Sequence, residues 1–142
     1  MNNPAENTRT VVVEKVFAYP PEKLWRALTE PSLLAQWLLN NDFKPSVGQA
    51  FQFRADPMPN WSGIIDCEVL IVEPLARLSY TWNSMGLESV VLFTLTPGEG
   101  GTHLRIEQSG FRPDQEAAYK GAGYGWKNFV GKLEQVLEGD AA

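Results

Sequence analysis

The sequence predicts an α+β fold, a curved antiparallel sheet closed by one long C-terminal helix. Three observations predict it. From residue 48 to 111, segments of alternating apolar and polar residues succeed one another with turn signals rather than helices between them, the pattern of antiparallel strands. Residues 118–137 instead place Tyr119, Ala122, Trp126, Phe129, Val130, Leu133, Val136 and Leu137 on one face at spacings of three and four. A sheet with one apolar face cannot bury that face alone, so the helix must cover it.

Taken in order, "RTVVVEKVFAY" combines a β-branched run with loose alternation and predicts a first strand over 9–17. Pro21 pre-sets the backbone for a short helix that turns Leu24, Ala27 and Leu28 inward, and Pro31 restarts a second one with Leu34, Trp37 and Leu38. "GQAFQFRA" puts Phe51 and Phe53 on one face. After the breaker "DPMPNWSG", "IIDCEVLIVEP" opposes Ile65, Cys67, Val69 and Ile71 to Asp66 and Glu68. "ARLSYTWNS" groups Leu78, Tyr80 and Trp82, and "ESVVLFTLTP", apolar on both faces for part of its length, reads as a central strand. "GEGG" is a hairpin connection into "THLRIEQSGF", where Leu104 and Ile106 share a face with Gln108. The long helix follows Pro113.

The 142 residues fit one domain, expected over 9–142 behind a disordered leader at 1–8. A net charge of −5 with scattered Arg and Lys argues against nucleic-acid binding. With one cysteine and one histidine the chain has neither an internal disulfide nor a Cys/His metal cluster, and no cofactor is expected. The absence of a long apolar run predicts a cytoplasmic protein with no membrane insertion. His103, one residue from Leu104, falls on the outer face of its strand while Cys67 points inward, so no Cys/His or Ser/His/Asp arrangement forms and no catalytic residue is expected.

The predicted interior is mostly aromatic: Phe51, Phe53, Tyr80, Trp82, Phe93, Tyr119, Trp126 and Phe129, with Gln108, Cys67 and the Tyr80 hydroxyl as rare polar groups. Trp37 and Trp61 are expected at a mouth. The last helix also contains Gly121, Gly123, Gly125 and Gly131, each costing about 1 kcal/mol relative to alanine. Gly123 and Gly125 fall on the two borders of the apolar stripe, thinning the helix beside Trp126. Either the strands approach the helix backbone closely there, or the missing side chains leave volume for a ligand. Gly131 fits neither cause.

The stretches "VFAYPPEKLWRALTEPSLLAQWL", "GIIDCEVLIVEPLARLSYTW", "LFTLTPGEGGTHLRIEQSGF" and "GWKNFVGKLEQVL" resemble the activator of heat-shock protein 90 ATPase homologue family, within the START-like or SRPBCC superfamily. The resemblance implies a helix-grip fold with a cavity between sheet and helix that takes a small hydrophobic molecule, aromatic, lipid-like or polyketide-like. Many relatives carry a histidine where this chain has Gln108. Together with the inventory above, it makes Phe51, Phe53, Cys67, Tyr80, Trp82, Phe93, Gln108, Tyr119, Gly123 and Trp126 the candidate ligand contacts, with Gln108 and Tyr80 orienting a carbonyl or hydroxyl. It also implies two alternatives: a stress-response module, monomer or homodimer, that engages a heat-shock protein 90-type chaperone through its surface, and a polyketide cyclase-like enzyme.

Overall fold

In the computed structural model, which describes residues 8–57, 59 and 61–139, the first strand β1 (Arg9–Phe17) leads into two short helices, α1 (Pro21–Thr29) and α2 (Pro31–Trp37). Six strands follow: β2 (Asn40–Asn41), β3 (Ala50–Arg54), β4 (Ile64–Glu73), β5 (Arg77–Ser84), β6 (Leu87–Gly98) and β7 (Gly101–Phe111). A single 3-10 turn (Pro113–Gln115) then opens the long helix α3 (Glu116–Gly139). The expected leader lies, apart from Thr8, outside the described residues. The elements are those the periodicities predict, with β2, two residues long and without an alternating pattern to announce it, as the addition.

All neighbouring strands are antiparallel, in the order β1-β7-β6-β5-β4-β3-β2. The first strand therefore pairs with the last, and α1 and α2 fill the connection from β1 to the far edge. Period-2 alternation sends one set of side chains to the inner face. Ile65, Cys67 and Val69 on β4, Leu78 and Tyr80 on β5, Val91, Phe93 and Leu95 on β6, and Leu104, Ile106 and Gln108 on β7 are all buried. Gln108 sits opposite Val11 on one side and Val91 on the other, deep in the sheet.

Trp37 is a correction to the expectation of a mouth residue. It is fully buried, its indole N–H donates to the Ala27 carbonyl at 2.8 Å, and its ring meets Phe93 edge-on at 6.5 Å. The Pro31 start turns α2 so that Leu34 and Trp37 face the sheet.

Helix α3 crosses the inner face with Trp126, Val130, Leu133 and Leu137 buried. Ion pairs Arg9–Glu116 and Lys15–Glu134 tie it to β1 at two points eighteen residues apart along the helix. The hydrogen-bonded Arg9 guanidinium holds the Glu116 carboxyl below its ordinary pKa. Both pairs are solvent-exposed, so they orient the helix on this edge more than they stabilise the fold. No helix among the described residues is long and apolar enough to cross a membrane.

Gly131 lies on the exposed side of α3, and a Cβ built there meets nothing within 4 Å. Nothing in the structure explains this glycine. Gly131→Ala is therefore expected to stabilise the protein by about 0.5–1 kcal/mol, through restored helix propensity and a less flexible unfolded chain, read as a rise in thermal midpoint.

Candidate ligand cavity

The glycines of α3 mark the site. Ala118, Gly121, Ala122 and Gly125 follow one another at offsets of three, four and seven, so they form a single stripe of small residues along the helix. That stripe is one wall of a cavity of about 700 Å³, continued along the helix by Trp126 and Phe129. The sheet supplies the opposite wall through Ile65, Trp82, Ser84, Leu87 and Gln108, and Leu39 and Trp61 complete the lining. The volume falls within the range of small-molecule sites.

Close packing of strands on the helix does not account for these glycines. A Cβ at Gly121 would meet nothing within 4 Å, and one at Gly125 would meet only the Phe129 ring, at 4.0 Å. Of the two causes open from sequence, the empty volume is the one the geometry supports. Gly121 belongs on the cavity beside Gly125, one turn away, while Gly123, about 200° from either, is turned off it. The apolar stripe that Gly123 and Gly125 border in the sequence faces the core in the C-terminal half of α3, where Trp126, Val130, Leu133 and Leu137 are buried. In the N-terminal half the face toward the cavity is centred on Ala122 and Gly125.

Of the ten candidate contacts, Trp82, Gln108 and Trp126 line the cavity and seven do not. Phe51, Phe53, Tyr80 and Phe93 form a buried aromatic cluster, with ring centroids at 5.3 Å for Phe51–Phe53, 5.1 Å for Phe51–Tyr80 and 5.7 Å for Tyr80–Phe93. Phe43 packs on the same rings. This cluster backs the cavity wall, since Phe53 lies 5.2 Å from Trp82 and Phe93 lies 5.9 Å from Trp126. Cys67 is buried off the cavity, and burial pushes its thiol pKa up, so the nucleophilic thiolate is suppressed. Tyr119 is on the β1 side, against Phe111 at 5.7 Å and under the Arg9 guanidinium at 4.2 Å.

Tyr80 does not serve as an orienting group. Its hydroxyl is buried with no hydrogen-bond partner among the described residues, and burial raises its pKa. An unpaired buried hydroxyl is a net cost. Tyr80→Phe is therefore expected to leave stability unchanged or raise it by up to about 2 kcal/mol, and to leave ligand affinity unchanged. Denaturant melts and a binding titration on the same sample would check both halves.

The polar groups of the cavity are held in two short chains. The Trp126 indole N–H donates to Gln108 Oε1 at 2.7 Å, Gln108 Nε2 donates to Ser89 Oγ at 3.0 Å, and Ser89 Oγ donates to the Trp82 carbonyl at 2.6 Å. Nearer the loop, Trp61 Nε1 donates to Ser84 Oγ at 2.9 Å and Ser84 Oγ to the Ile64 carbonyl at 2.8 Å. Trp61 was expected at a mouth, and it does line the cavity.

The β5–β6 hairpin helps hold the Trp61 segment. Ser84 pairs with Leu87, and Met85 and Gly86 between them have φ of 48° and 89°. Positive φ at both central residues matches the twist of a two-residue hairpin but is strained for methionine. The Met85 thioether accepts the Ser62 N–H at 3.3 Å, which gives the side chain a use at that position.

Among the described residues, none that lines the cavity carries a charge or an imidazole. His103 lies on the outer face, its Nε2 3.0 Å from Glu14 Oε1, as the alternation implied. Among the described residues no three His, Cys, Asp or Glu side chains gather in a metal-binding group. What the lining offers is apolar enclosure, aromatic faces and a few neutral hydrogen-bonding atoms.

Several solved structures share this architecture. MLL2253 from Mesorhizobium loti is 57% identical, with 94% of this chain and 100% of that chain covered and a TM-score of 0.88. DynU16, from the dynemicin biosynthetic locus, is 30% identical over 91% of this chain with a TM-score of 0.77, and this chain spans only 47% of its length. BH1534 from Bacillus halodurans is 28% identical, with 91% and 96% covered and a TM-score of 0.78. No curated protein matches at a significant level. The family described as Activator of Hsp90 ATPase homolog 1-like protein matches residues 18–138. With its seven-stranded antiparallel sheet gripping one long C-terminal helix, the chain belongs to that family and has its helix-grip fold.

Proposed function

We propose that this protein binds a small, uncharged, hydrophobic molecule of flat aromatic shape between its sheet and α3. One observation carries the reading: a cavity of about 700 Å³ whose helical wall is a stripe of alanine and glycine and whose lining, among the described residues, contains no charge. A Cβ at Gly121 has open space and one at Gly125 meets only the Phe129 ring at 4.0 Å, so a helix without these two glycines is sterically open to the chain. Keeping Gly121 and Gly125 forgoes about 1 kcal/mol each of helix propensity, and ligand volume is a return that offsets it.

The absence of charge narrows the ligand. A carboxylate or ammonium brought here would lose its water without gaining a partner, which costs several kcal/mol. Trp61, Trp82 and Trp126 present aromatic surface, with Trp82 and Trp126 centroids 5.3 Å apart, and a flat ring system stacks on such faces. DynU16, a relative 30% identical, comes from a biosynthetic locus, a setting in keeping with a small-molecule ligand.

The test is a titration of the purified protein with neutral polycyclic molecules, following tryptophan fluorescence. Saturable quenching at one ligand per chain is the expected result. A flat response across the panel, with a heat-shock protein 90-type chaperone retained on the immobilised protein, would overturn this reading in favour of a surface-docking role.

A further inference from the structure

Gln108 is the polar side chain of the cavity whose chemistry is fixed most completely by its neighbours. An indole N–H can only donate, so the atom of Gln108 facing Trp126 Nε1 at 2.7 Å has to be the amide oxygen. This settles the orientation of the amide, which leaves the nitrogen facing Ser89 Oγ at 3.0 Å. Ser89 spends its one hydrogen on the Trp82 carbonyl at 2.6 Å, so its oxygen is the acceptor for Gln108. The chain therefore runs in one direction from Trp126 to Trp82, and no member can reverse.

Among the described residues this leaves Gln108 with one N–H and one oxygen lone pair unused, on a residue that is 2% exposed and lines the cavity. The two leftovers are not equivalent. A carbonyl oxygen that already accepts one strong bond tolerates an idle lone pair, whereas a buried N–H without an acceptor is disfavoured. An acceptor within reach of Gln108 would therefore satisfy its amide, whereas a donor is not required.

We infer that Gln108 is a specificity-determining residue that selects ligands bearing a neutral acceptor oxygen, such as a ketone, quinone or lactone carbonyl, by donating its free Nε2–H. The inference rests on the cavity reading above and sharpens it. Trp126 and Ser89 act as positioning residues, since they hold the amide in the donating orientation and touch the ligand's oxygen only through Gln108.

Three tricyclic probes of nearly the same shape separate the possibilities: fluorene, with no hydrogen-bonding group, 9-fluorenone, with an acceptor only, and carbazole, with a donor only. Their dissociation constants would be measured by equilibrium dialysis on the wild-type protein and on Gln108→Met, which keeps the side-chain length and removes both N–H groups. The wild type is expected to hold fluorenone about two- to tenfold more tightly than fluorene, the worth of one net hydrogen bond. In Gln108→Met that ratio should fall to about one, while the carbazole-to-fluorene ratio stays as in the wild type. Because each comparison is a ratio within one protein, a general loosening of the variant cancels.

Equal binding of fluorene and fluorenone by the wild type would overturn the role of Gln108 and leave the cavity reading standing. A carbazole ratio that falls with Gln108→Met would overturn it too, since the amide oxygen would then be the recognising atom. Failure of all three probes to bind would overturn both inferences together.

Discussion

Gly121→Leu/Gly125→Leu is expected to abolish saturable binding of flat hydrophobic molecules while the protein stays folded, and Gly125→Leu alone to weaken binding at least tenfold. The backbone has room for the change: a Cβ at 121 has open space, and one at 125 has only the Phe129 ring at 4.0 Å. Beyond Cβ, a leucine on a helix leans back over the turn before it. From position 125 it would lie across Gly121 and Ala122, along the middle of the small-residue stripe. The helix itself should gain, since leucine is a better helix former than glycine by roughly 0.5–1 kcal/mol. Loss of binding with an unchanged or higher thermal midpoint is therefore the signature of a filled cavity. Undiminished affinity in the double variant would sink the cavity as the ligand site, and lost binding with a lowered midpoint would show a damaged core instead.

The fold was legible because its two periodicities hold over most of each element; in β4 a bulge between Val69 and Ile71 breaks the alternation, so that Val72 rather than the expected Ile71 packs on the core. Alternation in β4, β5 and β7 and the three-four spacing in α3 each name a buried face, and the structure buries those faces. What alternation does not encode is position along the strand. Tyr80 and Trp82 are two residues apart and were assigned to one face, yet Tyr80 is sealed under Phe43 and Phe51 while Trp82 lines the cavity. The difference is made by α2 and the chain after it. Trp37 caps Phe93, and Phe43 caps Phe51 and Tyr80, so one end of the inner face is filled by the protein's own rings. Nothing in the local sequence of β5 records which end that will be.

One part of the site was within reach of the sequence and another was not. The spacing of Ala118, Gly121, Ala122 and Gly125 is a stripe in its own right, and reading it as one would have replaced Gly123 with Gly121. Ser89 was out of reach, because its bond to Gln108 depends on the register that sets Val90 opposite Ser109 and Val91 opposite Gln108. A single sequence does not fix that register between strands joined by a hairpin of unknown turn type.

Gly101→Ala is expected to destabilise the protein by about 3 kcal/mol or more, roughly 10 °C in thermal midpoint, the opposite sign from the same substitution at Gly131. Gly98 and Gly101 pair across the β6–β7 hairpin, with Glu99 and Gly100 at its tip. Beside it, β1 ends at Phe17, and the chain turns over the hairpin toward Pro20 and α1. A Cβ at Gly101 would stand 1.9 Å from the Phe17 carbonyl oxygen and 3.0 Å from the Ala18 Cα. Both are backbone atoms, and neither can rotate away as a side chain would. Relief requires moving the end of β1, where Thr102, fully buried, pairs with Phe17 and donates to the Tyr19 carbonyl at 2.8 Å. The disturbance therefore passes into the start of α1 and the packing of Leu24 and Leu28 on the core. Gly100→Ala separates contact from conformation: its φ is 79°, but a Cβ there meets nothing, so only the left-handed backbone cost of about 1–2 kcal/mol applies. If Gly101→Ala cost no more than Gly100→Ala, the close approach of β1 to the hairpin would not be what holds the two chain segments together.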